Sequence, residues 1–552
     1  MTNTARASHR AQNAANESFA GTWTLLGFML RRDRIWLPAW VLGLTALLAY
    51  FANALGLVLD EESLASFAAL AANPLMALIG GPGYGFDEIT VGRFLVGLYG
   101  AYLMIGAALM NIMTVSRHTR AEEQTGRAEL IRANVVGRHA QTAAALILVA
   151  SMNLLVAVLM AVTFQTSPAE PGSWNSSFLF GLSVAALGMV FAGVETLTLQ
   201  LSPYSRVGSG IAGAILAVSF IVRGLGDMSA VQGGNLDWLS WLSPFGWSQQ
   251  TAPLTLDRWW PLLVSVGAII TCALVGFFLE SRRDLAAGIL PDRLGSATAA
   301  EWIRGPLTLV FRLQRASIAW WSFAMTIAGL IFGAFVQPMA ENAEGMPPEI
   351  LAVMGGAGSL VSGYIGFMSI YFAVMVAVFV LLTVQSLCGE EQGVRAEPIL
   401  ATSVSRSQWL LSWFAVAGLG ALWLLTLAGL GNGLGAAVAT GNWELFGQAL
   451  LGQVAQTPAV WVLLGVAIAL YAWIPRALGL VWMVFVYSTV LSFFGDMLQL
   501  SNAILATSVF RHIGQYPAED ISWAAVVTLV LIATALTAVG TLGFRRRDLV
   551  TA

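Results

Sequence analysis

The chain has 552 residues, 57% of them hydrophobic and only 10% charged, with a formal net charge of −3. A soluble domain carries about a quarter charged residues, so this composition argues against a soluble enzyme or a nucleic-acid-binding protein. All 27 basic residues are arginine, which leaves no lysine for a phosphate-binding P-loop and therefore no ATPase on this chain.

The elements follow from hydropathy and charge. Residues 1–21 are polar and lack the apolar core of a signal peptide, so the first span is expected to do the targeting. Residues 22–34, TWTLLGFMLRRDR, combine apolar residues with trailing arginines and read as a helix lying in the membrane interface. Apolar runs of more than about 18 residues read as membrane spans. In the first half they fall at 35–58, 90–114, 141–164, 177–201, 207–225 and 260–279. The first six-helix half thus covers 22–288, followed by a polar linker at 289–305 with Pro291 and Gly295. The second half, 306–552, opens on PLTLVFRLQR at 306–315, again read as an interfacial helix. Its spans are expected at 317–337, 362–387, 409–434, 457–474, 478–496 and 522–544.

Arginine placement sets the orientation. With the N-terminus inside, cytoplasmic segments hold 23 of the 27 arginines, and both termini are expected in the cytoplasm. The expected location is the cell membrane.

The halves resemble each other. Residues 122–138, EEQTGRAELIRANVVGR, align without a gap on 390–406, EEQGVRAEPILATSVSR. Further matches lie in the same order: Phe28, Leu30, Arg32 and Ile35 with Phe311, Leu313, Arg315 and Ile318; Gly80-Gly81 with Gly355-Gly356; Gly226-Asp227-Met228 with Gly495-Asp496-Met497; and Arg282-Arg283-Asp284-Leu285 with Arg546-Arg547-Asp548-Leu549. Collinear matches imply duplication. Six spans per half make the copies parallel repeats about an axis along the membrane normal.

The loop after the second span of each half is short, charged and helix-forming. Glu123 and Arg127, like Glu391 and Arg395, stand at i,i+4 and are expected to pair. A self-paired solvated helix does not account for the retention of EEQ, RAE and the later arginine in both copies; a docking surface does. Pro398 is expected to end the second copy's helix early, making the two docking sites inequivalent.

With these features the chain resembles the permease subunits of type-2 ABC exporters, in particular the double-length actinobacterial permeases for polyketide antibiotics and multiple drugs. The carrying residues are the duplicated loop, the interfacial segments, the very short Ser-Pro-Tyr-Ser-Arg loop at 202–206, and Arg-Gly-x-Gly-Asp at 223–227. The resemblance implies an all-α membrane protein of twelve helices in two six-helix repeats. It implies two copies of a separate ATP-binding subunit, carrying ATP and magnesium, docked on the loops. By the same resemblance Glu122, Glu123, Arg127 and Glu129, with Glu390, Glu391, Arg395 and Glu397, are coupling residues. Segments 229–257 and 498–520 correspond to the family's short extracellular helices.

Charges within spans are costly and need a reason. Glu195 lies inside the fourth span, either facing a substrate path or satisfied by a neighbouring helix. Arg223 and Asp227 stand at i,i+4 near a gate; Asp496 lacks such an arginine. Phe220 and Phe485 are candidates for an apolar path. No catalytic or metal-binding spacing stands out. The expected substrate is a hydrophobic small molecule, such as a drug or a polyketide antibiotic. A lipid or glycolipid exporter of the same class fits the same apolar path. A proton-driven secondary drug carrier also has six plus six spans, but it expects G-x-x-x-D-R-x-G-R-R where this chain reads SRHTRAEEQTGR. A membrane-embedded enzyme would need clustered acids or histidines at one depth.

Overall fold

A computed structural model describes residues 18–58, 74–133, 136–169, 172–290, 298–341, 360–495 and 500–548. Among them are twelve helices long and apolar enough to cross a membrane and no strand, so the chain is an all-α polytopic membrane protein. It divides into two compact units, Met1–Gly295 and Ser296–Ala552.

In the first unit the spans are Trp36–Gly56, Val91–Gln124, Ala140–Gln165, Trp174–Thr198, Ser205–Val231 and Pro261–Ser281. The second, third and fourth make the core, with Met110, Leu148, Phe164, Phe180 and Leu187 fully buried. Within it Asn111 and Asn153 exchange reciprocal amide hydrogen bonds of 3.2 and 2.8 Å. Hydrocarbon offers no competing partner, so a closed amide pair satisfies groups that would otherwise be costly to bury. Gly188 makes room for the pair: a Cβ there would sit 2.5 Å from Asn153 Oδ1.

In the second unit the spans are Pro306–Glu341, Leu360–Gln392, Arg406–Thr440, Glu444–Trp473, Pro475–Phe493 and Trp523–Arg546. Ser405 and Gln408 form a capping box that opens the ninth span and satisfies two of its free amide protons. The seventh and ninth spans pack backbone to backbone. Cβ atoms on Gly329 and Gly333 would lie 2.6 and 2.2 Å from the carbonyl oxygens of Ala428 and Asn432. Reciprocally, Cβ atoms on Gly431 and Gly435 would lie 2.6 and 2.4 Å from those of Thr326 and Leu330. Two facing Gly-x-x-x-Gly motifs thus replace the hydrophobic force that lipid cannot supply between helices. Large apolar side chains such as Leu263, Trp320, Met483 and Leu531 stay exposed, as a lipid-facing surface requires.

Two expectations need correction. The segment at 22–34 is a separate helix, Thr22–Arg32, closed at Asp33. Its counterpart at 306–315 is not: Pro306–Ala334 is one continuous helix, so it is an extension of the seventh span. The aligned residue to Asp33 is Ala316, a strong helix former, whereas the Asp33 carboxylate is drawn away from its own helix by Arg117 in a bidentate pair at 2.8 and 2.9 Å. Nor does Pro398 end a helix. The eighth span has already closed at Gln392, Val394 takes φ 59°, and Pro398 occupies the first turn of a new short helix, Glu397–Leu400.

Candidate functional site

The charged loops are built differently in the two units. In the first, the second span breaks at Thr119, and Arg120–Gln124 and Arg127–Arg132 form two short helices separated by Gly126 at φ 72°. In the second, the eighth helix runs straight through Glu390, Glu391 and Gln392 before the Gly393-Val394 turn.

The expected i,i+4 pairs do not form, because a non-helical residue separates each glutamate from its arginine. Arg127 instead lies 3.8 Å from Glu122, and Arg395 makes a bidentate pair with Glu390 at 2.9 Å. That hydrogen bond raises the Arg395 guanidinium above its ordinary value. Glu122 also hydrogen-bonds Arg32 from the helix Thr22–Arg32 and is buried.

The second glutamate of each loop points inward. Glu123 receives both Nη atoms of Arg283, at 2.7 and 2.8 Å, and Nη1 of Arg120 at 2.6 Å. Arg283 also donates through Nε to Gln200 at 2.6 Å, and Arg120 donates to the Leu199 carbonyl at 2.7 Å. Glu391 receives Arg547 Nη2 at 2.6 Å and the Tyr471 hydroxyl. Both glutamates are buried, at 8% and 5% exposure. Of the eight expected coupling residues, the exposed ones are Arg127 and Glu129 in the first unit and Arg395 and Glu397 in the second.

Glu195 is fully buried without an arginine: Ser209 donates to it at 2.6 Å and itself lies 2.9 Å from the Ser116 hydroxyl, and Thr198 sits at 3.4 Å. Its satisfaction comes from hydroxyls of the second, fourth and fifth spans. Arg223 and Asp227 do pair, at 3.3 Å. Arg223 also donates to the carbonyls of Ala77 and Ile79 at 3.3 and 3.1 Å and lies 4.5 Å over the Phe220 ring. Ser240 donates to Asp227 at 2.6 Å. The pair thereby fastens helix Pro74–Ile79 and the 3-10 turn Asp237–Leu242 to the fifth span. Phe220 packs edge-on against Phe245, and Phe485 against Trp482. Asp496 lies outside the described residues. An apolar groove of about 640 Å³ runs along the seventh and ninth spans, lined by Trp302, Phe311, Ile318, Leu419 and Trp423.

The residues that organise the loops, Arg32, Arg120, Arg283, Arg547 and Tyr471, carry no motif. Arg32, Arg283 and Arg547 were visible only as matches between the halves.

The family model described as "Multidrug efflux system permease Rv1217c, C-terminal domain" matches residues 24–279 and 303–545. The chain is 33% identical over 548 residues to the multidrug efflux system permease protein Rv1217c of Mycobacterium tuberculosis, covering 98% of this chain and 97% of that protein. With similarity running almost end to end and a family match in each unit, the chain belongs to the multidrug efflux system permease family.

Proposed function

We propose that this chain is the permease of an ATP-driven exporter of hydrophobic small molecules in an actinobacterial cell membrane. The observation that carries the reading is similarity over nearly the full length to a multidrug efflux permease. On this reading each charged loop faces the cytoplasm and docks one copy of a separate ATP-binding subunit, which supplies ATP and magnesium. Further support comes from the lack of lysine, which leaves the chain without a P-loop of its own. The family match in each unit supports descent of the two halves from one six-span ancestor.

Burial shifts the docking face away from the paired glutamates. Of the charged residues shared by the two loops, Arg127, Glu129, Arg395 and Glu397 are the exposed ones that a partner can reach. The test is co-expression with the ATP-binding subunit encoded beside this chain, followed by purification through a tag on one of them. The wild-type chain is expected to retain the subunit, and Arg127→Glu with Arg395→Glu is expected to lose it together with ATP-dependent dye efflux. Retention of both by the double variant would refute the docking assignment.

A further inference from the structure

We propose that Arg283, held by Glu123 and Arg138, and Arg547, held by Glu391 and Arg406, are positioning residues that tie each charged loop to the end of the last span in its unit. Load on a loop is then carried into that span. The proposal rests on the ATP-driven reading above, which supplies the load.

Chain connectivity explains the need. Each loop is covalently continuous with the spans on either side of it, but the last span of the unit is far away in sequence. Glu123 and Arg283 are 160 residues apart, and Glu391 and Arg547 are 156 apart. Their side chains meet directly at 2.7 and 2.6 Å.

The connection is two-ended in both units. At the start of the loop a glutamate takes the guanidinium. At the end of the loop an arginine takes the carbonyl of the same residue: Arg138 donates to Arg283 O at 2.6 Å, and Arg406 donates to Arg547 O at 2.7 Å. The six residues fall at matched positions of the two halves. Burial matters to the function. An exposed ion pair is loose and screened by salt, whereas a buried, charge-assisted contact has one short geometry and resists being pulled apart.

The two ties differ in a way that local chemistry explains. Arg120 reinforces Glu123 and reaches the carbonyls of Leu199 and Ala287, so the first tie also holds the short loop after the fourth span. Cys388 stands at the matched position and cannot do this. In its place Tyr471 donates to Glu391, and Arg547 lies 5.0 and 5.3 Å over the stacked rings of Tyr471 and Phe544. The second tie therefore grips the last span and the tenth.

The experiment uses the full chain with its ATP-binding subunit in lipid nanodiscs, with rhodamine 123 as the transported probe. Arg547→Met is expected to bind the subunit as the wild type does, while the dye-stimulated ATPase rate falls toward the basal rate by about fivefold or more. The exchanged pair, Glu391→Arg with Arg547→Glu, is expected to recover stimulation over Arg547→Met. Wild-type stimulation in Arg547→Met, loss of subunit binding in that variant, or an exchanged pair no better than the single change would each overturn the proposal. If the wild-type chain binds no ATP-binding subunit, the ATP-driven reading is what fails. The tie is then read in the chain alone by amide exchange. Arg547→Met must speed exchange in 386–401 and 523–544 together, and a rise in one segment alone overturns it.

Discussion

Replacing Arg223 with methionine tests whether the buried pair on the fifth span is held by its own charges. Arg223 and Asp227 are at 0% and 1% exposure, and the arginine alone bridges Asp227 to the carbonyls of Ala77 and Ile79. Methionine fills a similar volume but leaves the Asp227 carboxylate with only the Ser240 hydroxyl. Removing one partner of a buried ion pair costs about 3–5 kcal/mol. The double change Arg223→Met with Asp227→Leu removes the stranded charge and leaves unpaired only the carbonyls of Ala77 and Ile79, since the Ser240 hydroxyl keeps the backbone carbonyl of residue 223 at 3.3 Å; the residual cost is about 1–3 kcal/mol. By soluble-domain scaling the single variant loses roughly 6–20 °C in the melting temperature of the detergent-purified chain, and the double variant recovers part of it. Amide exchange should rise first at Pro74–Ile79 and Asp237–Leu242, the two segments the pair fastens. A single variant within about 1 kcal/mol of wild type, or a double variant less stable than the single, would sink the reasoning.

Two other perturbations follow from contacts in the spans. Gly435→Leu has no space, since even a Cβ would lie 2.4 Å from the Leu330 carbonyl, so the seventh and ninth spans must separate. The expected cost is about 1–3 kcal/mol or more, read as a lower melting temperature and loss of a disulfide engineered across the two helices. Asn111→Leu strips the Asn153 carbonyl oxygen of its donor, while the Asn153 amide nitrogen keeps the Val149 carbonyl, and should destabilise by about 1–3 kcal/mol, whereas Asn111→Leu with Asn153→Leu should be milder; equal or additive losses would refute the reciprocal pair.

The spans were legible in the sequence because hydrocarbon imposes one requirement, length of apolar helix, on every crossing. The ion-pair register was not. Spacing arithmetic assumes an unbroken helix, and Gly126 and Val394, both at positive φ, interrupt the segment between glutamate and arginine. Repetition flagged Glu123 and Glu391 but carried no information about direction. Their partners sit at the far end of each unit, so a docking face and a buried tie look alike in one dimension. Glu195 was legible as a charge needing an explanation, but its hydroxyl partners Ser116 and Ser209 are too common in spans to signal anything. The difference at Asp33 and Ala316 was present in the alignment of the halves, yet its effect depends on Arg117 being in reach of the carboxylate.

The continuous helices of the second unit have a mechanical consequence. Pro306–Ala334, Leu360–Gln392 and Arg406–Thr440 contain 29, 33 and 35 residues. At 1.5 Å per residue they are about 43–53 Å long, well beyond a hydrocarbon layer of about 30 Å. Two of them are also locked glycine to glycine, with no cushion of side chains to absorb shear. These three spans are therefore unbroken rods that reach past the hydrocarbon layer with no break at which to flex. In the first unit the helical path is instead interrupted at Asp33, at the π turn Leu95–Tyr99 and at Thr119, the places where a helix bends most easily.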